Sequence, residues 1–514
     1  MELTFNGVKP YNIDFNNNDL LKVTCNGVIV WEKLRPESIL RFTSTGNSTI
    51  SLGSEVSSDT WQPDVKYSLD GCNTWTQWDY SAISLTDGQT VYFRGYNPNG
   101  FTNDSYQNRR FYMTGSLAAS GSIMSLIDDG TCNTLVIPTD YCFAGCFWGC
   151  RVLTSVPELP ATTLTEHCYE EMFTACTGLT SIPANLLPAT TLAWYCYYQM
   201  FRGCSGLTTV PVNLLHATTL ELGCYRAMFE NCTGITSLPN NMLPAMTLTK
   251  ECYAYMFEGC TSLTEVPTLP ATSLNENCYN SMFRGCTSLT TVKVLPATRT
   301  YLGCYAYMFE GCTGLVSVPS DMLPATTPYD TTLNEPYYRM FKNCSSLITT
   351  PDFKNGSMEM FMGCTSLRSV SSGAVAGYPQ VGEIFRDCTS LTTVPNSFIV
   401  ENNNPTMDVI AKGKYSGAFY GCTSLTTAPD LLCRRSYAYG YHHMFDGCTN
   451  LNFVRCMLVN VEAFSFTGAT DNWLRGVSAT GTFVRNTEET GWLSGEDGIP
   501  TGWTVRTESL PAGQ

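Results

Sequence analysis

Residues 168–179 read Cys168-Tyr169-Glu170-Glu171-Met172-Phe173-Thr174-Ala175-Cys176-Thr177-Gly178-Leu179, and the pattern Cys-Tyr-x-x-Met-Phe-x-x-Cys returns along much of the chain. The Met-Phe pair recurs at Met200-Phe201, Met228-Phe229, Met256-Phe257, Met282-Phe283 and Met308-Phe309, at intervals of 28, 28, 28, 26 and 26 residues. Self-similarity at a fixed period of about 20–50 residues is the signature of stacked repeats. A single repeat cannot bury its own apolar face. Stacking builds one continuous core and leaves a long outer surface, an arrangement suited to binding.

Within a repeat, Cys176, Leu179 and Ile182 stand three residues apart, as do Cys260, Leu263 and Val266, and again Cys286, Leu289 and Val292. These side chains are expected to point inward from a short strand, because the intervening Thr and Val favour pleated surfaces. The following Leu187–Leu192 (Leu-Pro-Ala-Thr-Thr-Leu) carries a proline suited to a corner. In Cys-Tyr-x-x-Met-Phe-x-x-Cys, apolar residues at i, i+4, i+5 and i+8 match one face of a helix. That spacing predicts a helix of one to two turns on the outer side, ended by left-handed Gly203, Gly259, Gly285 and Gly311. The predicted core column comprises Cys176, Cys204, Cys232, Cys260, Cys286 and Cys312 with Phe173, Phe201, Phe229, Phe257, Phe283 and Phe309.

The chain holds 25 cysteines, most of them at two repeat positions. Equivalent residues on stacked strands lie about 4.8 Å apart with parallel side chains, beyond the ~3.8 Å between Cβ atoms that a disulfide prefers. They are read as reduced core thiols, acting as small hydrophobes. No Cys-x-x-Cys pair suggests zinc. The four histidines, His167, His216, His442 and His443, follow no ligand spacing. No metal and no cofactor is expected.

Around the repeats the composition shifts. Residues 1–35 hold Asn26-Gly27 between Leu21–Cys25 and Val28–Trp31, a hairpin signal. So small a piece needs a neighbour to pack on, so it is expected to serve as an attachment segment. Residues 36–127 predict a β-sandwich from short strands at Ile39–Thr43, Ser48–Leu52, Val65–Leu69, Trp75–Trp78, Ala82–Leu85, Thr90–Arg94 and Arg110–Met113. Of Trp75 and Trp78, one is expected in the core and one at the rim. Residues 128–458 hold about twelve repeats, the first imperfect, with Cys146-Phe147 in place of Met-Phe. Residues 459–514 depart from the repeat and, with Trp473, Phe483, Trp492 and Trp503, are expected to cap the stack.

The net charge is −15 and only 14% of residues are charged. An acidic surface repels phosphate backbones, which argues against nucleic acid. No run of 18 apolar residues predicts a membrane span, and the N-terminus shows no secretory pattern. Glycan cleavage needs two carboxylates flanking one bond; the adjacent pairs Glu170-Glu171 and Glu488-Glu489 do not converge. Neither a G-x-S-x-G elbow nor a P-loop is present, so the chain is expected not to be an enzyme.

The repeat resembles leucine-rich repeats of the BspA-like class, whose pattern is Ala-Phe-x-x-Cys-x-x-Leu-x-x-Ile/Val. Here it appears as Met172-Phe173, Cys176, Leu179, Ile182, and as Ala418-Phe419, Cys422, Leu425, Ala428. The resemblance implies a leucine-rich-repeat solenoid of short parallel strands and short helices, here preceded by the sandwich and the small β unit. The segment Asn26-Gly27-Val28-Ile29-Val30-Trp31 is similar to segments at the start of tail- and fibre-type virion proteins of Bacteroidales (crAss-like) bacteriophages. That likeness implies a virion appendage whose N-terminal region contacts other virion proteins and whose repeats bind a host cell-surface glycan or protein. Self-association into a homo-oligomer is compatible with it. A bacterial surface adhesin, a structural collar or decoration protein, and a glycan-degrading fibre are the alternatives. Tyr and Arg are favoured at binding hot spots. Among the variable repeat positions the candidate binding residues are Tyr198, Arg226, Tyr255, Glu265, Tyr307, Arg339 and Arg368.

Overall fold

A computed structural model describes residues 12–16, 19–25, 28–32, 35–53, 61–102, 109–323, 327–328, 335–377, 381–399, 409–459 and 468–509. The chain divides into two compact units, residues 1–191 and 192–514.

The first unit opens with three antiparallel strands, β1 (Asn12–Asn16), β2 (Asp19–Cys25) and β3 (Val28–Glu32). The pairing of Cys25 with Val28 across β2 and β3 is the expected hairpin; Asn26-Gly27 itself lies outside the described residues. The strands β4 (Arg41–Ser44), β5 (Ser48–Gly53), β6 (Lys66–Ser68), β7 (Thr76–Gln77), β8 (Ile83–Leu85), β9 (Thr90–Arg94) and β10 (Arg110–Thr114) match the seven predicted ones. An eighth, β11 (Leu117–Ser120), escaped the sequence reading. The order β10-β5-β8 forms one sheet. The other runs β12-β11-β4-β9-β6-β7, where β12 (Leu153–Ser155) belongs to the first repeat. Alternation places Phe42 of β4, Phe93 of β9 and Phe111 of β10 between the sheets, with ring centroids 5.6–5.9 Å apart. Trp78 joins this core, while Trp75 stays half-exposed under the Arg94 guanidinium. No break in packing falls at residue 128. Phe147 of the first repeat stacks on Phe111 at 5.1 Å, and the Cys150 thiol donates to the Phe111 carbonyl.

The second unit is built of stacked repeats, and here the expected helix is corrected: among the described residues there is no α-helix. The Cys-Tyr-x-x-Met-Phe-x-x-Cys segment is a ribbon of consecutive turns. In the repeat at 251–260, Ala254, Met256, Glu258 and Cys260 donate their N–H groups three residues back, to Glu251, Tyr253, Tyr255 and Phe257. The alternate N–H groups of Tyr253, Tyr255, Phe257 and Gly259 donate to Cys278, Asn280, Met282 and Arg284 of the next repeat. Donors and acceptors are thus consumed alternately within and between repeats, as buried backbone requires. Every fourth residue turns left-handed, as at Glu251, Tyr255 and Gly259. The glycines expected at helix ends do have positive φ, but as corners of this ribbon. The expected inner strands shrink to single parallel bridges such as Thr209↔Ser237 and Glu265↔Thr291.

Identical side chains therefore stack. Phe257, Phe283 and Phe309 follow one another at 5.7 and 5.8 Å with nearly parallel rings, and Tyr253, Tyr279 and Tyr305 at 5.9 and 5.8 Å. All twelve residues of the predicted core column are buried. The thiols do more than fill space. Cys260, Cys286 and Cys312 donate to the carbonyls of Phe229, Phe257 and Phe283 in the preceding repeat at 3.1–3.2 Å, using the second lone pair of an oxygen already bonded within its own turn. None of the 24 cysteines whose side chains are described sits in a disulfide, and all but Cys72 and Cys132 are buried. Burial pushes Cys260 and Cys312 up to about 12. Because the thiolate is the reactive form, an aromatic disulfide reagent at mildly alkaline pH is expected to spare nearly all thiols of the native chain. Unfolding in guanidinium chloride should release all 25. Prompt reaction of many thiols before unfolding would contradict this packing.

After the last full repeat, residues 468–476 add one more turn of ribbon. Trp473 is fully buried between Tyr441 and Trp492, and its indole N–H donates to the Gly498 carbonyl. Three parallel strands, Phe453–Cys456, Thr482–Asn486 and Thr504–Glu508, complete this end.

Candidate functional site

The turn ribbon sorts its residues by a period of four. The Cys-Tyr and Met-Phe pairs are buried, and the two residues after each pair form the ribbon's outer edge, where long side chains such as Tyr255, Arg284, Tyr307 and Arg339 reach the surface while small ones such as Ala254, Ser281 and Ala306 stay buried. Stacking aligns these outer residues into columns. One column, two residues before each Phe, runs Gln199, Ala227, Tyr255, Ser281, Tyr307, Arg339, Glu359, Glu383. Another, directly after each Phe, runs Arg202, Glu230, Glu258, Arg284, Glu310, Lys342.

Between repeats 255 and 339 these columns enclose an open groove of about 540 Å³, walled by Tyr255, Arg284, Tyr307, Glu310 and Arg339 with Ser281, Gly285 and Gly311 at its floor. The walls are braced from outside. The Arg226 guanidinium sits over the Tyr255 ring at 5.1 Å and is held by Glu251. Arg339 lies over Tyr307 at 5.9 Å and over Tyr338 at 4.8 Å, and bonds Glu359 at 2.9 Å. Glu359 also takes Lys342 at 2.7 Å. Burial works against the Glu359 charge, yet the bonds from Arg339 and Lys342 outweigh it and hold its carboxyl below the usual range. Burial, reinforced by Glu359, pushes Tyr338 up to about 12. On the opposite wall Arg284 pairs with Glu258 at 3.2 Å; burial pushes that carboxyl up, and Arg284 only partly offsets it. Glu310 has no cation partner among the described residues.

The backbone under these walls is strained. Tyr255, Tyr307 and Arg339 have φ of 60°, 58° and 55°, a region that costs a bulky residue roughly 1–2 kcal/mol. The equivalent left-handed corner four residues on uses Gly203, Asn231, Gly259, Gly285, Gly311, Asn343 and Gly363, which suit it. The same corner is left-handed in the other repeats, with Gln199, Ala227, Ser281 and Glu383 at φ of 53–55°, so this strain belongs to the ribbon as a whole and does not by itself mark the groove.

Of the residues chosen from sequence, Tyr255, Tyr307 and Arg339 line the groove and Arg226 braces it. Tyr198 stands beside Arg226, with the guanidinium 5.8 Å from its ring. Glu265 and Arg368 are exposed on the bridge segments and do not line the groove. The sequence reading missed Arg284 and Glu310. The signal was there, since the position after Phe carries a charged residue in each repeat from Arg202 to Lys342 and lies three residues after the Tyr255 position, near enough to share a face even on a helix. Among the described residues no helix is long and apolar enough to cross a membrane, and no group of three or more His, Cys, Asp or Glu could hold a metal ion.

No curated protein matches the chain. Residues 224–321, the stretch that supplies all of the groove except Arg339, match the family model of the BspA type leucine rich repeat region in six copies, so the groove is built on repeats similar to that family's.

Proposed function

We propose that this chain is a non-enzymatic surface-binding protein whose stacked repeats hold a glycan or protein of a cell surface against their turn-ribbon face. The BspA-type repeats suggest adhesion. The observation that carries the reading is the groove at Tyr255, Arg284, Tyr307 and Arg339, where aromatic faces and guanidinium groups converge on an open surface. Tyr and Arg dominate binding energy when pre-positioned, and the Glu251 and Glu359 braces fix them before a partner arrives. In the finer reading the chain is a bacteriophage virion appendage. Residues 1–35 would attach it to other virion proteins, and many copies would sum weak contacts into avidity. That setting rests on the Asn26-Gly27-Val28-Ile29-Val30-Trp31 segment.

Incubating the purified chain with a panel of intact bacterial cells tests the binding role. Saturable retention on a subset of strains is expected, with cell-surface polysaccharide left at its original chain length. Retention no greater than that of an unrelated protein of equal charge would refute binding, and shortening of the polysaccharide would restore the enzymatic alternative. For the virion setting, a chain lacking residues 1–35 is expected to stay out of particles.

A further inference from the structure

We propose that the groove takes three consecutive uncharged pyranose units of a glycan lying along the stack, the first against Tyr255, the third against Tyr307 and the middle one over Ser281. This inference rests on the surface-binding role and names the ligand class of that site. The spacing comes first. Tyr255 and Tyr307 occupy the same column with the small Ser281 between them. They are two repeats apart, and the core rings beneath advance by 5.7 and 5.8 Å per repeat. One such step matches the advance from ring to ring in an extended β-linked glycan, so the two steps carry the chain from the first ring to the third.

Chemistry follows from the walls. An aromatic face receives the C–H face of a sugar ring, and each tyrosine carries an arginine that fixes its orientation. Between the rings, Arg284 offers N–H donors and Glu310 a carboxylate acceptor, the pair that sugar hydroxyls satisfy. Gly285 and Gly311 keep the floor free of side chains, at φ of 71° and 74°. A Cβ on Gly311 would meet Gly285 only at ordinary contact distance, so packing alone does not exclude a side chain there. Charge decides between neutral and acidic sugars. Arg284 and Arg339 are already paired with Glu258 and Glu359, Glu310 adds an unpaired negative charge, and the whole chain carries −15. Uronates and sialylated glycans would meet occupied cations and a repulsive field. A neutral glycan loses nothing by it.

The test uses the full chain on an array of neutral β-linked oligosaccharides (glucan, mannan, xylan and galactan series) and acidic ones (polyuronate and sialylated), with cell retention measured in parallel. Retention on a neutral series, beginning at the trisaccharide, is expected. Tyr255→Gly and Tyr307→Gly should each weaken it about tenfold, near 1.4 kcal/mol, and the double variant should abolish it. Glycine suits the left-handed corners, so the melting temperature should hold and separate lost binding from lost fold. Retention only on acidic sugars, or neutral binding unchanged in both glycine variants, would overturn the inference. Cell retention with no binding on the array would overturn it too, leaving the surface-binding role standing. Failure on both cells and array would remove both.

Discussion

Phe283→Ala is expected to destabilise the repeat region by about 3–5 kcal/mol, the range for emptying an aromatic core site. Phe283 is fully buried and lies between Phe257 and Phe309, with planes tilted by 8° and 5°. Its ring has like neighbours on both sides, so the cavity cannot close by moving one of them. The backbone beneath is pinned as well, since the Phe283 N–H donates to Met308 and its carbonyl takes both Cys286 N–H and the Cys312 thiol. Stacked repeats can open locally rather than all at once. Hydrogen exchange is therefore the sharper readout, with the largest loss of protection expected in the repeats on either side of Phe283. The exposed Thr287→Ala should stay within about 0.5 kcal/mol of the parent. Equal effects from the two substitutions would show that the aromatic column does not hold the stack.

Ending the chain after Leu458 is expected to make it self-associate more strongly than the full chain. Four ribbon N–H groups of the last full repeat, on Tyr441, His443, Phe445 and Gly447, donate to Ala469, Asp471, Trp473 and Arg475. Each is worth about 1 kcal/mol net, and Trp473 adds the burial of a large aromatic against Tyr441. Truncation leaves a row of unpaired donors above a freshly bared apolar surface, the template on which edges pair with other chains. Size-exclusion chromatography with light scattering would show higher-order species growing with concentration. Trp473→Ala, which keeps the backbone donors satisfied, should lower stability without that growth. A monodisperse truncated chain with an unchanged melting temperature would refute the capping role.

Much of this molecule was legible in particular residues. The recurrence of Cys176, Leu179 and Ile182 announced an interior shared between repeats, because only stacking gives such residues a common place to go. Free thiols followed from the same geometry. The sandwich strands showed through alternation and turns, apart from β11, whose Leu117–Ser120 is too short and too rich in small residues to signal itself. The ribbon was misread for a definable reason. A four-residue step overshoots a full α-helical turn by about 40°, and the segment covers only two such steps. Over nine residues, a true period of four and a helical period are hardly distinguishable. The conserved spacing of both members of each inward pair, Cys-Tyr and Met-Phe, was the clue that favours four.

What the amino-acid order determined by itself is the inward set: which side chains must be buried, that they stack on their own kind, and that the repeats resemble the BspA leucine-rich class. What only the tertiary structure decided is the outward set. Tyr255, Arg284, Tyr307, Glu310 and Arg339 are spread over 85 residues of chain, and nothing local draws them together. The inward residues are selected by water, which acts on each repeat separately. The outward ones become neighbours only when hydrogen bonds between repeats fix the register, and that register depends on the length of every intervening loop.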